Sequence, residues 1–139
     1  MTQLHPRLQQ DCHYVSRLDL CHLLLMNDCN YPWCILVPDR DGITEIHQLE
    51  EADQQQLIRE SSRLARGLTQ LYRPDKLNIA AIGNLVPQLH LHHVVRYTGD
   101  PAWPKPVWGH APARPYTDEA AHESIARLQS VMARSGHDG

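Results

Sequence analysis

The chain has 139 residues, 42% of them apolar and 21% charged, and 13 Lys and Arg against 16 Asp and Glu give a formal charge of −3. That length suits one domain with a real core and is too short for two. The acidic balance provides no basic surface for a nucleic acid or an anionic membrane. Ten histidines and four cysteines remain to be placed, and imidazoles at that density suit a metal site, proton-transfer chemistry or plain surface.

The opening MTQLHPRLQQDCH has no basic stretch leading into an apolar run, and the LLLM of residues 23–26 is far too short to span a membrane. The expected location is cytoplasmic. Cys12, Cys21, Cys29 and Cys34 form no C-x-x-C and read as reduced, structural thiols, with zinc ligation as the rival role.

Residues 13–18 (HYVSRL) and 20–26 (LCHLLLM) read as two strands meeting at Asp19. NDCNY at 27–31 is turn chemistry closed by Pro32, and WCILV at 33–37 is a third strand stopped by PDRDG. A short segment, 43–48, leads to Leu49 and the acidic Glu50, Glu51 and Asp53, which suit the first turn of a helix running to about Tyr72. Leu57, Ile58, Ser61, Leu64, Ala65, Leu68 and Leu71 make its apolar stripe, and Arg59, Glu60, Arg63 and Arg66 its solvated faces. Pro74 ends it.

Strands are expected over 77–82 and 88–97, around the turn GNLVP at 83–87. Residues 98–115 hold five prolines and two tryptophans and read as an extended loop. Thr117 caps a short final helix with Ile125, Leu128, Val131 and Met132 on its apolar face, and 135–139 should fray. The result is an α+β domain over 1–139, with a core of about 13–110 and a C-terminal extension of 111–139. An antiparallel sheet of about five strands packs on one long helix.

The chemistry concentrates at Gln88–Val95. In a strand, Gln88, His90 and His92 share one face, and Leu89, Leu91, His93 and Val95 share the other. Two imidazoles and an amide on one side have no packing motive, since each loses hydration unless paired. That face should open on a polar cleft, with the apolar face on the long helix.

Gln88-Leu-His90-Leu-His92 resembles the signature of the histidine triad (HIT) superfamily, His-φ-His-φ-His-φ-φ with φ hydrophobic. Gly83-Asn-Leu-Val-Pro-Gln88 is similar to the family's Gly-polar-x-x-x-His approach. The hairpin with Asn27 and Pro32, the helix and the preceding strand follow in the family's order, so the resemblance covers about 18–108. It implies a HIT-like fold and a nucleotide hydrolase or transferase acting at an α-phosphate, with no cofactor or metal required. His90 would attack phosphorus to form a nucleotidyl-histidine, its other ring nitrogen held by a carbonyl. His92 would hydrogen-bond a phosphate oxygen, and the amides of Gly83 and Asn84 would add donors. The implied substrate is a purine nucleotide or nucleotide conjugate, and the implied assembly a homodimer.

Three positions depart from the family pattern. Gln88 replaces the first histidine of the catalytic trio; it can orient a neighbour or donate to a leaving group but cannot carry a proton at neutral pH. His93 stands where the family is apolar, and Leu85 where many members carry a hydroxyl. Asn27 and Asp28 lie where the family contacts the ribose, a turn-forming role being the alternative, and Asn78 lies on a strand entering the cleft. Trp103 and Trp108 offer flat faces to a nucleobase or plain packing, and His110 is a candidate supporting group. The competing functions are a nucleotide-binding module with little catalysis, because of Gln88 and Leu85, and a metal protein using His90, His92, His110 and a cysteine.

Overall fold

The computed structural model describes residues 2–135. A short helix α1 (Pro6–Asp11) is followed by strands β1 (Cys12–Arg17), β2 (Cys21–Met26) and β3 (Trp33–Pro38) and a 3-10 turn at Ile46–Gln48. The long helix α2 (Glu51–Tyr72), strands β4 (Lys76–Ala81) and β5 (Leu91–Arg96) and helix α3 (Asp118–Ser135) complete the chain. The strands form one antiparallel sheet in the order β1-β2-β3-β5-β4. This is the mixed α+β architecture expected from the sequence.

Both faces of the sheet are covered, which is why β2 and β3 read as continuous apolar runs rather than alternations. Leu23 and Leu25 of β2, Leu36 of β3 and Leu91 and Val95 of β5 pack with Leu57, Leu64 and Leu68 of α2 and Leu128 and Val131 of α3. On the other face Leu24, Trp33, Ile35, Val37 and Val94 pack with Leu8 of α1 and with Ala102 and Val107 of the Pro/Trp loop. A Cβ added at Gly67 would stand 3.1 Å from Val131 Cγ1, so the missing side chain lets α3 close onto α2.

Several expectations need correction. Helix α1 was not foreseen, because six residues carry too little periodicity; Pro6 starts it, and His5 caps it by accepting from the Arg7 N–H at 3.0 Å. The final helix has 18 residues and is not short; of the expected fraying segment, Ser135 ends it and 136–139 lie outside the described residues. Strand β5 begins at Leu91, three residues later than the alternation suggested. Pro87 has no N–H to donate, and the Leu89 N–H goes to the Ile43 carbonyl at 3.0 Å, so the ladder opens only at Leu91. On α2, Ile58 is 58% exposed.

Glu60 is the largest departure, being fully buried rather than solvated. Its carboxylate accepts from the Leu20 N–H at 2.8 Å, the Cys21 N–H at 2.9 Å and the Gln56 amide at 2.7 Å, fastening the start of β2 to α2. The four cysteines are free thiols, and burial pushes that of Cys34 up to about 12. Among the described residues no helix is long and apolar enough to cross a membrane. Replacing Glu60 by Ala strands two buried backbone donors and should lower unfolding free energy by about 2–4 kcal/mol in urea denaturation. Glu60→Gln, which keeps one acceptor oxygen, should cost less.

Candidate active site

The site forms where the irregular segment before β5 enters the sheet. His90 precedes the strand and His92 is its second residue, and their rings pack edge to face with centroids 4.9 Å apart. Both are buried. The His90 Nδ1 lies 2.7 Å from the Gln88 carbonyl. A carbonyl only accepts, so Nδ1 carries the hydrogen and the Nε2 of the neutral ring keeps its lone pair. His92 is held the opposite way: the Trp33 indole N–H, which only donates, lies 3.0 Å from the His92 Nδ1. Nδ1 is therefore the acceptor and Nε2 carries the hydrogen. Two adjacent imidazoles thus take opposite tautomers, one with a bare Nε2 and one with an Nε2–H donor.

Burial holds His92 down at about 3, with the neighbouring His90 and His93 adding to the effect. His93 points to the helix side, fully buried. Its Nδ1–H donates to the Leu91 carbonyl at 3.1 Å and its Nε2 accepts from the Ser61 hydroxyl at 2.7 Å. Burial lowers it to about 4, the Leu91 bond opposing the shift. The departure at this position is a satisfied core histidine.

A cleft of about 330 Å3 opens over the histidines, lined on its apolar side by Leu8, Met26, Ile35, Val86 and Trp108. Arg7, Asp11, Asn84 and the exposed Ile82 and Leu85 complete it. The Trp108 ring lies 5.1 Å from that of His92 and 5.8 Å from that of Trp33. His90 and Gly83 border a second cavity of about 340 Å3 with Thr44, Glu45, His47 and Gln88. A Cβ at Gly83 would meet the Val86 carbonyl at 3.0 Å, so the turn that delivers His90 needs glycine there.

Other residues read from the sequence sit elsewhere. The Asn27 carbonyl oxygen accepts from the Tyr116 N–H at 2.9 Å, and Asp28 accepts from Asn30 N–H at 3.0 Å and Arg114 N–H at 3.2 Å. Both side chains bolt the C-terminal tail to the β2–β3 turn, and neither lines the cleft. Asn78 accepts from the buried Arg96 guanidinium at 2.7 Å. Arg96 pairs with Asp100 and lies 5.5 Å from the Trp103 ring, so Asn78 and Trp103 belong to the cluster that seats the Pro/Trp loop. His110 is exposed and outside the cleft. The Gln88 side chain is directed to residues 3–5, donating to the Gln3 carbonyl and accepting from the His5 N–H. Among the described residues no group of three His, Cys, Asp or Glu is arranged to hold a metal ion.

Sequence reasoning missed Trp33 and the α1 wall. Trp33 meets His92 only because Ile35 pairs with His92, which puts Trp33 diagonally across on the same face. No local pattern in PRLQQD announces a cleft wall.

The HIT domain family model matches residues 7–99. The chain belongs to the histidine triad (HIT) family. Its structure is similar to a histidine triad protein from Marinobacter aquaeolei VT8 at 53% identity and TM-score 0.93, covering 96% of this chain and 98% of that one. Histidine triad proteins from Bradyrhizobium japonicum (45% identity, TM-score 0.91, 94% and 97% covered) and Sinorhizobium meliloti 1021 (42%, 0.90, 92% and 95%) are also similar. No curated protein sequence matches significantly. The HIT membership agrees with the geometry, in which the second and third signature positions, His90 and His92, meet at one cleft.

The depressed His92 and His93 make this HIT protein sensitive to mild acid. The unfolded chain binds protons near 6.5 and the folded rings only near 3 and 4. Their contribution is complete above pH 6.5 and is lost as pH falls through the window below it. At pH 5 each should have cost about 2 kcal/mol relative to pH 8. The carboxylates held low, Asp39 and Asp100, act only below their ordinary value of 3.8. Urea denaturation at several pH values should show the slope, and His93→Gln should reduce it.

Proposed function

We propose that this HIT protein binds a purine nucleotide or nucleotide conjugate and cleaves it at the α-phosphate through His90. The observation that carries the reading is the pair of opposed tautomers. The bare Nε2 of His90 is the nucleophile, and the Nε2–H of His92, ring centroid 4.9 Å away, is a donor for a non-bridging phosphate oxygen. Nε2 of His90 forms a bond to phosphorus while the bond from phosphorus to the leaving group breaks, and that group leaves with the electron pair. Water then attacks phosphorus as the bond from phosphorus to Nε2 breaks; it gives up a proton to solvent, Nε2 regains its lone pair, and the nucleoside monophosphate is freed. The cleft volume of about 330 Å3 suits one nucleoside, and its apolar wall with Trp108 suits a base.

The proton inventory selects the leaving group. Gln88 has no titratable proton, and His92 is neutral with its charged form held down at about 3. Neither supplies a proton to a departing amine. A phosphate leaving group is stable as an anion, so anhydrides such as dinucleoside polyphosphates should be cleaved faster than phosphoramidates of the same nucleoside.

The exposed apolar Ile79, at 47% on the edge strand β4, supports a homodimer along that edge. Sedimentation at micromolar concentration should give about twice the chain mass, and a monomer would remove this part of the reading. With an α-labelled dinucleoside polyphosphate, quenched reactions should show label on His90. His90→Ala should show none and lose at least ~10³-fold in kcat. Tight AMP binding with neither adduct nor turnover would instead make the protein a nucleotide-binding module.

A further inference from the structure

Gln88 takes the place of a histidine, and its side chain makes two hydrogen bonds that a histidine cannot make together. Its Oε1 accepts from the His5 N–H at 2.8 Å, and its Nε2 donates to the Gln3 carbonyl at 3.2 Å. A primary amide offers a donor and an acceptor side by side, so it pairs with the N–H and C=O flanking Leu4 as a neighbouring strand would. A neutral imidazole also has one donor and one acceptor, but they diverge from opposite sides of the ring. A carboxylate has the acceptor and no donor.

The segment held in this way forms a wall of the cleft. Leu4 packs against the cluster of Leu8, Leu24 and Trp33, Pro6 opens α1, and Arg7, Leu8 and Asp11 line the space over His90 and His92. The segment has other ties: the Thr2 N–H donates to the Asp39 carboxylate, the Gln9 amide donates to the Leu4 carbonyl at 2.8 Å, and the Asn27 N–H donates to the Asp11 carbonyl at 2.9 Å. Among the hydrogen bonds of the described residues, Gln88 alone links this segment to the stretch leading into β5, and its own carbonyl sets the His90 ring. One residue therefore fixes the nucleophile with its main chain and the opposite wall with its side chain.

We propose that Gln88 is a positioning residue that clamps the N-terminal segment as the nucleoside-facing wall, so that the first signature position here serves nucleotide affinity rather than proton transfer. The proposal rests on the cleft being the nucleotide site. Its consequence runs against simple restoration of the family pattern, because Gln88→His should weaken the protein's hold on nucleotide.

The test compares the 139-residue protein with Gln88→His, Gln88→Leu and Gln88→Glu, the last keeping the acceptor and losing the donor. Amide hydrogen exchange of residues 3–11 without nucleotide reads the clamp, AMP calorimetry reads the wall, and kcat, KM and the pH profile read the chemistry. Losing both hydrogen bonds should speed exchange and raise the Kd for AMP by roughly tenfold. The loss should fall on KM with kcat within about threefold, and Gln88→Glu should lie between. Unchanged exchange in all three variants would overturn the clamp, whatever the nucleotide results. Faster exchange with unchanged AMP affinity would overturn its role in binding. A rise in kcat for Gln88→His with a new acidic limb in the pH profile would make the position a vacated proton donor. If the wild type binds no AMP, the nucleotide reading of the cleft fails and the role in binding falls with it, while exchange still decides whether the clamp exists.

Discussion

A neutral imidazole has one donor and one acceptor, and what stands at Nδ1 decides which nitrogen is which. The chemistry of this protein depends on that constraint. Carbonyls at Gln88 and Leu91 put the hydrogen on Nδ1 of His90 and His93, and the Trp33 indole puts it on Nε2 of His92. A bare Nε2, an Nε2–H donor and a core hydrogen-bonding group follow from three residues of one type within four positions.

Burial explains why the His92 and His93 rings remain neutral. The sheet is covered on both faces, so His92 and His93 lie in the interior on opposite sides of β5. Burial is the first cause of both depressed values. A protonated His92 would also direct an N–H at the Trp33 N–H, a contact with no acceptor. The neutrality of His92 and His93 therefore follows from the packing that makes the fold stable, and acid sensitivity follows from the same burial.

Much of this was legible in the chain. The long helix, four of the strand positions within a residue or two and the shared side of His90 and His92 all come from local periodicity, because the sheet and helix repeats are local geometry. The polar candidates were not legible in the same way. Asn27 and Asp28 are satisfied by backbone donors 89 and 86 residues away, and Asn78 by a guanidinium 18 residues away. A polar side chain in a turn looks the same in sequence whether it faces a substrate or a distant N–H. Glu60 misled for a similar reason, since the donors that compensate its burial come from the start of β2.

The sequence by itself determined the α+β order of elements, the H-x-H pair and its glycine approach, and the HIT resemblance, because each rests on spacing within a short stretch. Only the tertiary structure decided which nitrogen of each ring is bare, which wall faces the histidines and what Gln88 holds. Those depend on strand pairing, which sets Trp33 diagonally across from His92, and on the N-terminal segment returning over 83 and 85 residues to the Gln88 amide. Contacts at such separations are made by the folded chain alone.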